Sequence, residues 1–461
     1  MQKYLAACSL IALLCTIACG GGGSSSSSSN NCASTAVGLS QQLRNPVSAF
    51  PVDNNGTIMQ LPPVPNGGVS GISSTQGGAL VFGIGTASNN AVAGTQLTLD
   101  PNPGTATNPN YDYAGFMTQY GGVTYEGSFI DSGSNAIYYL DQPTTHILDC
   151  SGSLDSWYCP NNAAPPFETL GQTATNESTY GQEGSILVSF NVSSANLLFS
   201  SSNDNGNNTA FSDLAGPNTP GNPNSNVQAA DAYFDWGLSF FYNRNIYTAI
   251  NGVNGQSAYW SVASYSPAGT ANNVAPLYVD YGPVPTVNFQ VNIPFVTVTI
   301  CAPGSTNCQT IDHVAVDTGS VGLRIPYSVL NSTLAAALTN VNGSTPLAEC
   351  IQFLDGSFFW GSVKFADVKM GGANNTYEVA SSIPIHVMGD PAVEELLPSS
   401  CSTVTNSSGS QVSGTEEDTV NALGANGLLG IGNYQYDCDA LSIGNICASV
   451  AVPSTYYACT P

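Results

Sequence analysis

The chain has 461 residues, 42% of them hydrophobic and only 8% charged, with six Lys and Arg against 30 Asp and Glu and a formal net charge of −24. That length can form two or three ordinary domains or one large two-lobed one, and the apolar content is enough to bury a core. So acidic a surface argues against nucleic acid or anionic lipid as a partner, and suits either an acidic medium or simple solubility.

Abundant Gly, Pro, Ser, Asn and Thr favour an all-β architecture with many turns. At the start of the chain, Lys3 precedes an apolar run from Leu5 to Ile17, as in an export signal. Thr16-Ile17-Ala18-Cys19-Gly20 resembles a bacterial lipobox, in which Cys19 would be acylated, although Thr16 stands where Leu is usual. Residues 1–19 then read as a lipoprotein signal peptide and residues 20–31, rich in Gly and Ser, as a flexible tether. The alternative is an ordinary secretory signal. No later apolar run is long enough for a transmembrane helix, which needs about 18–20 residues. Setting aside Cys8, Cys15 and Cys19, ten of the 13 Cys remain, an even number that points to disulfides in an exported chain. Plausible local pairs are Cys150 with Cys159, Cys301 with Cys308, and Cys438 with Cys447. Cys350 could pair with Cys401, which leaves Cys32 and Cys459. Spacing does not fix the connectivity.

Further along, a short helix is expected from Thr35 to Leu43, stopped by Pro46, and an edge strand from Val47 to Val52. Ala79 to Gly83 reads as a buried strand, and Val123 to Phe129 as an alternating one ahead of Asp131. A long loop is expected from Asn203 to Asn226. Phe234-Asp235-Trp236-Gly237-Leu238 opens an apolar segment that continues through Phe240, Phe241 and Tyr242 to Ile250. Those aromatics, with Trp260, are expected in the core. Ser264 to Pro285 has linker composition. Val287 to Val291 and Phe295 to Ile300 alternate and read as a strand pair, followed by the apolar run into Asp317. Phe358 to Val363 reads as an aromatic strand or hairpin tip, and Leu428-Leu429-Gly430 as an apolar pair closed by glycine.

The chemistry lies in a repeat. Asp317-Thr318-Gly319-Ser320 and Asp131-Ser132-Gly133-Ser134 each follow an apolar strand. Such residues also make plain turns, but two copies after two strands point to a paired-carboxylate site. Two carboxylates brought together cannot both ionise easily, so they share a proton. The ionised member can take a proton from water while the protonated one donates to a substrate carbonyl. In this reading Ser132 and Thr318 brace the loops, Gly133 and Gly319 let backbone amides approach the acids, and Ser134 and Ser320 are outer donors. The three histidines, His146, His313 and His386, form no zinc motif, nor do the cysteines, and no metal or other cofactor is expected. His313 is expected to be structural. No serine sits in Gly-x-Ser-x-Gly.

At these motifs the chain resembles the pepsin-like aspartic proteases, over nearly all of the residues beyond the tether. It is also similar to an uncharacterised family of bacterial lipoproteins with the same Asp-Thr-Gly-Ser segment. The resemblance implies an all-β, two-lobed fold with double-psi type lobes and Asp131 and Asp317 as catalytic dyad. Asp317-Thr318-Gly319-Ser320 resembles the first-lobe loop and Asp131-Ser132-Gly133-Ser134 the second, so the lobes come in a circularly permuted order. Residues 32–90 and 286–461 would then form the Asp317 lobe, 91–268 the Asp131 lobe, and 269–285 the interlobe linker. A Cys32–Cys459 disulfide would tie the new ends. The family's substrate-covering flap would fall at Trp360-Gly361-Ser362, with Trp360 in place of the usual tyrosine, and Arg324 would replace a tryptophan behind it. The implied function is an exported endopeptidase that binds an extended peptide or protein substrate, works at acid pH and touches a membrane only through its lipid anchor. The alternative is a binding or structural lipoprotein of the same fold. Sequence gives no oligomeric state.

Overall fold

The computed structural model describes residues 31–99, 115–161, 163–179, 183–218, 233–353, 356–372, 377–405, 411–440, 446–452 and 455–460. The expected signal peptide, Cys19 and nearly all of the tether lie outside them, as does part of the loop expected from Asn203 to Asn226.

The protein is mainly β, built on three large sheets whose short helices only punctuate the strands. Among the described residues, no helix is long and apolar enough to cross a membrane. A seven-stranded sheet carries the strand Val123–Ile130, which leads into Asp131. A twelve-stranded sheet carries Cys308–Asp317. A six-stranded sheet joins strands from early in the chain (Gly56–Leu61, Ala79–Phe82, Thr95–Thr98) with strands from its middle (Arg244–Ala249, Tyr259–Ser264, Val274–Pro276). One apolar cluster runs through all three sheets. It includes Leu80 and Phe82, then Ile130 and Trp236, then Val316 and Leu429. The expected core aromatics Phe240, Phe241, Tyr242 and Trp260 belong to it.

The two acid-bearing strands are embedded in the same local topology. Val123–Ile130 pairs in parallel with Phe234–Trp236, which pairs antiparallel with Ile137–Tyr139. Cys308–Asp317 pairs in parallel with Gly427–Ile431, which pairs antiparallel with Val321–Pro326. The registers match as well. Trp236 lies opposite both Ile130 and Ile137, and Leu429 opposite both Val316 and Leu323. In each unit the chain leaves the acid loop, makes a tight return and accepts a later strand between the two arms.

Several local expectations give way. Residues 35–43 form turns instead of a helix: Gly38 interrupts the segment, and Val37 and Leu43 donate their amides to Cys447 and to the Tyr456 hydroxyl. Val47–Ala49 is a single 3-10 turn instead of an edge strand, set between Pro46 and Pro51. Val287 to Val291 is not a strand. Val287 and Asn288 both donate to Val284 in a turn, and the Asn288 and Gln290 amides are spent on nearby acceptors. The strand Pro294–Cys301 pairs instead with Cys308–Asp317. The segment read as a linker contributes two edge strands. Val274–Pro276 joins the six-stranded sheet, and Tyr278–Val279 the twelve-stranded one.

Five disulfides bind the structure: Cys32–Cys459, Cys150–Cys159, Cys301–Cys308, Cys350–Cys401 and Cys438–Cys447. The first joins the strands Asn31–Ser34 and Tyr456–Thr460. So many disulfides fit an oxidising compartment outside the cytoplasm.

Candidate active site

The two acid loops meet. The Ser132 amide donates to the Thr318 hydroxyl oxygen at 2.9 Å, and the Thr318 amide to the Ser132 hydroxyl oxygen at 3.1 Å. Each hydroxyl then donates across to the other strand's carbonyl, Ser132 to Val316 at 2.7 Å and Thr318 to Ile130 at 3.2 Å. The paired residues stand 186 positions apart in the chain. Four buried hydrogen bonds thus lock the loops face to face. Each bond satisfies a backbone group that would otherwise be stranded away from water.

This interlock brings the carboxyls of Asp131 and Asp317 close enough for each to perturb the other's ionisation. Each acid is also held within its own loop. Gly133 N–H donates to Asp131 Oδ1 at 2.8 Å and Gly319 N–H to Asp317 Oδ1 at 2.7 Å. Ser134 reaches the other oxygen of Asp131 at 3.0 Å, and Ser320 that of Asp317. Of the loop residues sequence reasoning put forward, Asp131, Ser132, Gly133, Ser134, Asp317, Thr318, Gly319 and Ser320 are therefore all in one place. Two further glycines make room for the loops. A Cβ on Gly237 would lie 1.9 Å from the Ala136 carbonyl oxygen, and one on Gly430 only 2.6 Å from the Val321 nitrogen.

Both acids are 0% exposed. Burial raises the pKa of Asp131 well above the usual carboxylate range, and the negative charges of Asp317 and Asp235 push it the same way. Burial raises Asp317 too, against the pull of its hydrogen bonds from Asp131, Ser320 and Gly319 and of the nearby Arg324 charge. Both shifts favour retention of a proton by the pair, the state in which one member can act as base and the other as acid.

Arg324 lies behind the Asp317 loop, fully buried. Its guanidinium donates to the Val321 carbonyl at 2.9 Å and to Glu349 at 2.8 Å, and His386 stands 2.9 Å from the other Glu349 oxygen. Burial alone would raise the Glu349 pKa, but the charges of Arg324 and His386 outweigh it and hold the group at about 2. His313 has a structural place. It sits in a bulge of the acid-bearing strand, with φ 47° where the pairing register slips, and its ring lies 3.3 Å from Asp280.

The residues expected at a flap lie in the core instead. Trp360, Gly361 and Ser362 lie inside the long strand Ser357–Met370, and all three are buried. The Trp360 indole donates to the Val393 carbonyl at 3.0 Å and packs edge-on against Tyr457. Gly361 allows close approach of the neighbouring strand, and Ser362 donates to Asp390. None of these side chains is free to touch a substrate. The turn of that hairpin falls earlier, between Gln352 and Ser357.

One residue escaped the sequence reading. Asp235, also buried, faces the pair, and its Oδ2 lies 2.6 Å from the Ser134 hydroxyl. The available signal was an acid interrupting the apolar Phe234–Trp236 strand. Elsewhere, Glu394, Glu416 and Asp418 offer carboxylate oxygens within 4.8 Å of one another, the one group among the described residues with a donor set a metal ion could use.

A family model described as Protein of unknown function (DUF3443) matches residues 24–265 and 269–461, and the chain belongs to that family. No curated protein matches the chain, and no solved structure does.

Proposed function

We propose that this DUF3443 protein is an exported aspartic endopeptidase with a circularly permuted pepsin-like fold, tethered to a bacterial membrane through Cys19. Asp131 and Asp317 are its catalytic pair. The observation that carries the reading is the reciprocal hydrogen bonding of Ser132 and Thr318, which joins the two acid loops. A water held between the acids loses a proton to the ionised carboxylate as its oxygen attacks the scissile carbonyl carbon. The protonated carboxyl donates to the carbonyl oxygen, which gives a neutral gem-diol without a covalent intermediate. Collapse of the diol passes a proton to the departing amine and restores the shared proton. An extended peptide would lie between the lobes, held by strand-like backbone hydrogen bonds. The reaction consumes nothing but water and uses no metal.

A second reading, a binding or structural lipoprotein of the same fold, is favoured by one observation: both carboxyls are 0% exposed. Catalysis requires the site to open. The discriminating experiment incubates residues 31–461 with a peptide library at pH about 3 to 6 and reads new termini by mass spectrometry. The peptidase reading predicts cleavage by wild type and none by Asp317→Asn. Equal absence of cleavage in both, with peptide retained on the immobilised protein, selects the binding reading.

A further inference from the structure

Asp235 sits beside the pair in a way the second half-site does not reproduce. In register it lies opposite Phe129 and Tyr138, and the equivalent position of the other unit, opposite Ala315 and Arg324, is Leu428. The pseudo-symmetric site thus has an acid on one side and a hydrocarbon on the other.

The hydrogen count around Ser134 fixes its state. The Ser134 hydroxyl lies 3.0 Å from Asp131 Oδ2 and 2.6 Å from Asp235 Oδ2. A serine hydroxyl has one hydrogen and can donate to only one of them. With both acids ionised, the other contact would set lone pair against lone pair in a site closed to water. One carboxyl must therefore donate into the serine oxygen. Asp131 already receives the Gly133 amide on its other oxygen. Asp235 Oδ1 has no hydrogen-bond partner, and no cation pairs with the group among the described residues. The ionisable groups packed about it are Asp131 and Asp317, both acids, and Tyr138, whose hydroxyl donates to Asn135.

We infer that Asp235 is a resident carboxylic acid, neutral at pH 7, whose proton goes to Ser134 and commits the Ser134 hydroxyl to Asp131. Asp235 is a positioning residue: it acts on the pair through Ser134. Burial, which favours its neutral form, agrees with this assignment. The role in catalysis rests on the peptidase reading; the protonation state does not.

The test has two parts. Infrared difference spectra at pH 7, with aspartate carbons isotopically labelled, should show a protonated-carboxyl band in wild type that is missing in Asp235→Asn and Asp235→Leu. Absence of that band from wild type overturns the inference. Carbon NMR titration of the Asp131–Asp317 pair gives the sign. An asparagine amide can donate to Ser134 as the acid does, so Asp235→Asn should leave the pair's apparent pKa within about half a unit. Asp235→Leu loosens the serine from Asp131 and should raise that pKa by about one unit, a tenfold change in proton affinity. If Asp235 were an anion, both variants would remove a negative charge and the pKa would fall in both, which refutes the assignment. An unmoved pKa in Asp235→Leu refutes the positioning role. If peptides are never cleaved yet the band and the NMR pattern hold, the peptidase reading fails and this inference stands.

Discussion

Replacing Thr318 with valine tests the interlock that brings the acids together. Valine keeps the shape and removes only the hydroxyl, which accepts from the Ser132 amide at 2.9 Å and donates to the Ile130 carbonyl at 3.2 Å. Both lost partners are buried backbone groups. A buried polar group left without a partner costs about 1–3 kcal/mol. The amide bears the full penalty; the carbonyl, with a second lone pair, bears less. The extra buried methyl returns about 0.8 kcal/mol. The net expectation is a loss of about 2–4 kcal/mol, a sizeable part of the roughly 5–15 kcal/mol that keeps a domain folded. Urea unfolding, followed by circular dichroism and tryptophan fluorescence, measures it. The two signals must coincide and the m-value must match wild type. Ser132→Ala breaks the complementary bonds and should cost a similar amount. Because all four bonds form one closed set, the double variant should lose at least about 0.5 kcal/mol less than the sum of the singles. A loss below about 0.5 kcal/mol for Thr318→Val, or strict additivity, would refute the claim that these hydrogen bonds hold the site together.

Other sites give independent checks. Arg324→Met strands the buried Glu349 and should cost about 3–5 kcal/mol in the same assay, while Arg324→Met with Glu349→Leu should recover most of the loss. Glu349 has a pKa lowered to about 2, so its contribution is fully present above its unfolded value near 4.5 and fades as pH falls through about 2; Glu349→Gln should be much less stable than wild type at pH 6, with the gap closing toward pH 2 in calorimetric scans. Glu416 runs the other way. Burial first, then the charges of Glu394 and Asp418, raise it to about 7, so its protonated form favours folding below about 4.5 and the advantage disappears as pH rises through 7. Glu416→Gln should therefore raise the melting temperature at pH 8 and leave it unchanged at pH 4. Cys32→Ser with Cys459→Ser opens a loop of 427 residues and should lower stability by about 2–4 kcal/mol, measured against wild type under oxidising conditions.

The acid loops were legible because a short tetrapeptide carries both the turn and its chemistry, and the apolar runs before Asp131 and Asp317 announce their strands. What joins them was not legible. The bonds between Ser132 and Thr318 depend on how two units separated by 186 residues face each other, and no local pattern encodes that. Asp235 was hidden by its neighbours: between Phe234 and Trp236 it reads as one polar interruption of a core strand, and only the fold brings its carboxyl to the Ser134 hydroxyl. Trp360 was misplaced because a count of residues from Asp317 stands in poorly for a hairpin turn. The bulky indole fills the core beside the Cys350–Cys401 disulfide, and the chain reverses before it. The alternation of Val287, Phe289 and Val291 mimics a strand, but the Val287 and Asn288 backbone amides close a turn on Val284 while the Asn288 side chain bonds across to Asn421 and Ala422.

The central claim is that one acid from each half of the chain works on the same bond. Its most direct measurement is the cleavage rate of a single identified peptide across pH, in wild type, Asp131→Asn and Asp317→Asn. A working pair gives a bell-shaped profile for wild type and a fall of about 10²–10⁴-fold in each variant, since neither acid can serve as both base and donor. A variant at either position that cleaves at the wild-type rate would contradict the claim.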